Sequence, residues 1–157
     1  NDTVPSYLNS GNYEPKKSVS TLSNAMDVGD PSNFIRIQKL FNNDFYKLKK
    51  VVSGYAYSDS QTKRALKEIY GESKYIADPH GAVSYLGLKD YLDTQEGNNV
   101  QGIFLETAHP IKFAPTVEAT LKLKLELPNQ VIKIHDKPKL SIPISDYKAL
   151  KNYLLER

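Results

Sequence analysis

Three short β-prone runs, GYAYS (54–58), KYIAD (74–78) and QGIFLET (101–107), each lead toward a helix start. This alternation constrains the fold more than any other feature of the chain. Strands alternating with helices predict an α/β fold of short parallel strands with flanking helices, since parallel neighbours need a crossover between them. The IFL run at 103–105 is continuously apolar, as in a strand covered on both faces. A short buried helical segment reads the same way.

The helix starts are written in cap chemistry. Asp30 followed by Pro31 reads as an N-cap with proline at the first helical position, where the missing N–H costs nothing. Phe34, Ile37 and Phe41 then recur at helical spacing, continued by Leu40, Phe45 and Leu48, which predicts one buried face. Ser58 and Gln61 form a capping box ahead of TKRALKEIYG, and Gly71 is placed to end that helix. Asp78–Pro79 repeats the first logic and opens a helix through HGAVSYLGLKDYL. From Leu127 to Pro143 the chain is rich in proline and lysine, and Ser145 then caps a last helix bearing Tyr147, Leu150 and Leu154. Residues 127–157 therefore read as a peripheral tail ending in a terminal helix.

At 157 residues, one compact unit is the expected size, with 39% apolar and 25% charged residues and a mean hydropathy of −0.51. No apolar run reaches the length of a membrane span, and NDTVPSYLNS lacks the basic and apolar blocks of a signal peptide, so a cytoplasmic location is expected and a membrane partner is not. Lysine and arginine exceed aspartate and glutamate by 21 − 18 = 3, spread along the chain, so a nucleic-acid partner is not expected either. The absence of cysteine removes disulfides, thiol nucleophiles and thiolate metal sites together. His80, His109 and His135 lie too far apart for a helical zinc pair, so no metal site is expected.

In an open α/β sheet, ligands collect past the carboxyl ends of strands, which draws attention to Thr107, Ala108, His109 and Pro110. The plain reading is a strand end and helix cap, with Thr107 or His109 satisfying backbone donors. The functional reading is a Thr107 hydroxyl bonded to a neutral heteroatom of a ligand ring, since a hydroxyl donates without imposing charge. At the DPHGAV helix start, Gly81 lets a ligand approach free N–H groups, and His80 is an acid–base group or a cap residue. In SNAMDVGDPSNF, Asn24 and Asp27 lie too far ahead to cap the following helix; they cap an earlier turn or line a pocket. The eight glycines form no phosphate loop, no GxSxG elbow is present, and none of the eighteen lysines is marked as desolvated.

NDTVP (1–5), TLSNAMDVGDPSNF (21–34), ADPHGAV (77–83) and ETAHPIKF (106–113) occur in the order and with the gaps of the carboxyl-terminal part of the threonine synthase family, which the whole chain resembles. The resemblance implies part of a pyridoxal 5'-phosphate lyase of fold type II, the tryptophan synthase β-like fold. Its reaction converts O-phospho-L-homoserine and water to L-threonine and phosphate. By resemblance, Thr107 bonds the pyridine nitrogen of the cofactor, Ser32 and Asn33 face the substrate, and His80, Gly81 and His109 flank the same cleft. Ile111 stands where the family pattern more often has alanine. The family's Schiff-base lysine and phosphate-binding glycine loop lie upstream of NDTVP, so no catalytic residue is expected in this chain. The amino-terminal part of the same polypeptide is the expected partner, the chain by itself is expected to be inactive, and exposed apolar surface leaves room for a homo-oligomer. Two other readings are part of another fold type II lyase, such as a threonine or serine dehydratase, and a non-catalytic interaction module.

Overall fold

The computed structural model describes residues 1–24, 27–95 and 99–156. It divides into two compact units, residues 1–125 and 126–157. Among the described residues the secondary structure is helical throughout. In the first unit lie α1 (Thr3–Ser10), α2 (Phe34–Leu40), α3 (Phe45–Lys49), α4 (Asp59–Ser73), α5 (Pro79–Asp93) and α6 (Ala114–Leu121); α7 (Asn129–His135) and α8 (Tyr147–Leu155) lie in the second. No helix among them is long and apolar enough to cross a membrane.

The expectation of parallel strands is therefore overturned. The three β-prone runs are irregular in structure, and a two-residue alternation of exposure survives clearly in only one of them. Along 103–107, Ile103, Leu105 and Thr107 are exposed while Phe104 and Glu106 turn inward, as in an extended chain. Phe104 packs edge-on against Tyr85 of α5, with ring centroids 5.9 Å apart. A strand also needs a neighbour for its N–H and C=O groups, and the 101–107 run makes no backbone–backbone hydrogen bond among the described residues. Its sequence prepares a strand that no described segment pairs with.

Cap chemistry succeeds where it is local. Ser58 and Gln61 close the capping box at the start of α4, and Ser58→Ala is expected to cost about 1 kcal/mol in urea unfolding. Asp78 caps α5 through His80 N–H with Pro79 at the first position. Gly71, in contrast, lies inside α4, which ends at Lys74 in the left-handed region. Asp146, not Ser145, caps α8. Asp30 caps nothing: its Oδ1 accepts from the Tyr13 hydroxyl (2.8 Å), and α2 starts only at Phe34, after a turn closed by Phe34 N–H to Pro31 C=O. The single apolar face expected from Phe34 to Leu48 is split by Asn42 and Asn43, both with positive φ, after which Asp44 caps α3. Asparagine tolerates that conformation better than most residues, so the pair ends α2 and re-aims the chain.

Two apolar cores result. Ala65, Leu66 and Ile69 of α4 bury against Ala77 and Ala82, with Tyr85, Leu86 and Leu121 packed around them. Tyr7 and Leu8 of α1 bury against Phe34 and Leu48, with Tyr13 and Phe45 at their edge. The segment 12–21 that follows α1 is held by Gly29. The Gly29 carbonyl accepts from the buried Thr3 hydroxyl (2.6 Å) and from Lys16 N–H (3.1 Å), and its own N–H donates to Ser18 Oγ (3.2 Å).

Candidate functional site

The start of α5 and the end of the 101–107 run meet at one place. Asp78 is fully buried, and its Oδ1 accepts from His80 N–H (2.8 Å) and faces His80 Nδ1 at 2.9 Å. An ionised Asp78 fixes the hydrogen on Nδ1 and leaves Nε2 as the acceptor of a neutral ring. The His80 ring also meets Phe113 edge-on at 5.2 Å, which ties α5 to the turn after Thr107. Glu106 folds its carboxyl group against Gly81, where even a single Cβ would overlap it.

The electrostatics of this corner are uneven. Burial pushes Glu106 up to about 8, reinforced by the neighbouring Asp78 and softened by the Asp78 backbone N–H. Burial works on Asp78 in the same direction. The neighbouring Glu106 carboxyl, followed by the hydrogen bonds from His80 N–H and the His80 ring, outweighs it and holds Asp78 below the usual carboxylate range. Tyr75 is raised by burial and by the nearby charges of Glu106 and Asp78.

A cleft of about 190 Å³ opens on His80, lined also by Thr21, Ser23, Asp27, Tyr57 and Asp59. Asp27 organises its near wall by accepting from Thr21 N–H (3.1 Å), Thr21 Oγ1 (2.7 Å) and Asn1 Nδ2 (3.2 Å). The Tyr57 hydroxyl, also in the lining, donates to Asp90 Oδ2 (2.7 Å), and burial followed by that bond raises its pKa. A larger depression of about 540 Å³ beside Tyr55, Leu88, Tyr91 and Ile103 has no carboxylate or imidazole in its lining. The smaller cleft instead brings a histidine, His80, together with two carboxylates, Asp27 and Asp59.

Of the residues singled out from sequence, His80 lines the cleft, Gly81 packs against the Glu106 carboxyl, and Thr107 follows Glu106 on the outward side of the run. Thr107 is exposed, and its hydroxyl makes no hydrogen bond among the described residues. His109 is the cap of the following short 3-10 turn, its Nδ1 accepting from Ile111 N–H (3.1 Å). Ser32 and Asn33 stand exposed on the turn before α2, away from the lining of the cleft. Asp27 serves the cleft wall, Asn24 is exposed on a turn, and Ala25 and Met26 lie outside the described residues. Sequence reasoning missed Glu106 altogether. Its one signal was a carboxylate at the parity of Phe104, the inward face of the run.

A family model described as "Threonine synthase, C-terminal" matches residues 81–154. The threonine synthase of Buchnera aphidicola subsp. Acyrthosiphon pisum is 45% identical over 158 aligned positions, which cover all of this chain. The chain belongs to the threonine synthase family. The crystal structure of threonine synthase from Escherichia coli superposes with a TM-score of 0.81 at 39% identity over 99% of the chain. Threonine synthase from Brucella melitensis, solved with pyridoxal phosphate bound, shares the fold at a TM-score of 0.69 and 21% identity. The chain spans 35% of the length of both the Buchnera threonine synthase and the Escherichia coli structure, and corresponds to a carboxyl-terminal portion of these threonine synthases.

Proposed function

We propose that this chain forms one wall of the active site of a threonine synthase that converts O-phospho-L-homoserine and water to L-threonine and phosphate, a carbon–oxygen lyase reaction using pyridoxal phosphate. The observation that carries the reading is Thr107: an exposed, unbonded hydroxyl at the end of a run whose inward residues are docked on α5. Such a group fits the pyridine nitrogen of the cofactor. Glu106 turns to the opposite face, so the nitrogen meets a neutral hydroxyl and not a carboxylate.

Bound pyridoxal phosphate supplies an electron sink for bond breaking next to an amino-bearing carbon. Thr107 would hold the ring by one hydrogen bond from a neutral hydroxyl, a partner that does not fix a proton on the ring nitrogen as a carboxylate would. His80, held by Asp78, offers Nε2 to the cleft as a proton acceptor. At Gly81 the start of α5 is filled by the Glu106 carboxyl, which leaves His80 and Val83 as the α5 residues on the cleft, and exposed Ser32, Asn33 and His109 are the candidates for contact with substrate. The remaining two thirds of a threonine synthase would supply the lysine and the phosphate cradle.

The test is phosphate release from O-phosphohomoserine by a complete threonine synthase polypeptide carrying these residues, with Thr107→Ala beside it. A net contribution of about 1 kcal/mol for one neutral hydrogen bond predicts a roughly five-fold loss of cofactor affinity or rate in the variant. The isolated chain should show no turnover. Threonine formation by the isolated chain at the rate of the complete polypeptide, or none by the complete polypeptide, would overturn the proposal.

A further inference from the structure

The geometry points to Asp78 and Glu106 as an acid pair that shares one proton and, through it, clamps the 101–107 run onto the start of α5, which makes Glu106 a positioning residue for Thr107. Asp78 Oδ2 and both oxygens of Glu106 are buried, and no donor meets them in hydrogen-bond geometry. The Glu106 carboxyl packs against Gly81 in the first turn of the helix that Asp78 caps, and each of the two acids shifts the titration of the other. Two ionised carboxylates offer only acceptors, so a proton between them is what satisfies the contact. Buried polar atoms without partners are rare and costly, and one proton relieves the orphaned oxygens at the contact while removing a like-charge pair.

The surroundings assign the proton to Glu106. Asp78 Oδ1 is already held by His80 N–H and His80 Nδ1, which favour the ionised form, whereas Glu106 has only the Asp78 backbone N–H nearby, outside bonding geometry. The titratable groups facing the pair are Tyr75, from the run before α5, and His80, on α5; Phe113 meets the far side of the His80 ring. Lysine and arginine are absent from the groups that shift Glu106. Gly81 completes the arrangement, because only a residue without Cβ leaves room for the carboxyl at this turn of the helix.

The pH dependence follows with its sign. The folded state holds a proton that an unfolded Glu106 releases near its ordinary value of 4.5. The stabilisation is therefore fully present below about pH 4.5 and is lost as pH rises through about 8. Above that pH the two charges repel and the run, with Thr107 one residue beyond, is released from α5.

The role given to Thr107 rests on the threonine synthase reading, but the test involves no turnover. Carboxyl carbon NMR of the chain, followed from pH 4 to 10, should show Glu106 titrating near 8, with the Thr107 amide and methyl resonances moving at the same midpoint. In Glu106→Gln the amide donates to Asp78 in place of the shared proton, so the Thr107 resonances should stay fixed across that range. In Gly81→Ala the new methyl displaces the carboxyl group, and the Glu106 midpoint should fall toward 4.5. A Glu106 midpoint in the ordinary carboxylate range in the unchanged chain would overturn the acid pair. Thr107 resonances that stay flat between pH 7 and 9 would overturn the clamp. Neither outcome bears on whether a complete polypeptide makes threonine.

Discussion

Leu66→Ala is expected to remove about 2–5 kcal/mol of unfolding free energy, the range for emptying a leucine site in a packed core. Leu66 is 1% exposed and sits where α4 meets α5 and α6, enclosed by Ala65, Ile69, Ala77 and Ala82. The three alanines have no reach to refill the space, so any relaxation falls to Ile69 and to Tyr85, Leu86 and Leu121 at the edge of the cluster. Leu66→Met, nearly volume-conserving, should cost less than about 1.5 kcal/mol. Urea unfolding of both variants decides the matter. An alanine variant no weaker than the methionine one would show that this interface is not close-packed.

Gly29→Ala carries the second large effect. A Cβ at residue 29 would run into the carbonyl oxygen of Lys16, and the obstruction is backbone, which has no rotamer to escape into. Three hydrogen bonds are anchored at that residue: those from Thr3 and from Lys16 N–H to its carbonyl, and that from its own N–H to Ser18. Overpacking of this kind costs typically about 1–3 kcal/mol. The loosened 12–21 segment should also free Thr21 from Asp27 and so open the wall of the His80 cleft. Gly71→Ala is the matched control. Nothing lies within 4 Å of a Cβ there, and the position is inside α4, so alanine should stabilise the chain by up to about 1 kcal/mol. Opposite signs for the two substitutions, read from thermal or urea unfolding, are the expected result; equal signs would remove the steric explanation.

How much of this was legible depended on distance along the chain. Ser58 with Gln61, and Asp78 with Pro79, announce their helices because donor and acceptor are two or three residues apart. Asp30 with Pro31 carries the same local message and is overruled by Tyr13, seventeen residues away, whose hydroxyl claims the carboxylate. The break at Asn42–Asn43 is hidden in a run of correctly spaced apolar residues, since periodicity records the face and not its continuity. Of the runs read as strands, 101–107 does show two-residue alternation where it docks, but pairing is a property of neighbours that no local pattern contains. In the candidate site, His80, Gly81 and Thr107 were singled out through caps and resemblance. Glu106 was not, because a buried carboxyl is explained only by the second carboxyl that folding brings to it.

The outward side of the 101–107 run has one more consequence. Ile103 is 87% and Leu105 70% exposed, on a backbone with no ladder partner among the described residues. Such an edge is a template for any extended chain that approaches it, a second copy included. In concentrated solution the weak point of this polypeptide is therefore colloidal, lying in encounters between molecules. Hardening either apolar core would leave that hazard where it is, whereas one lysine on the rim of the run would act on it directly.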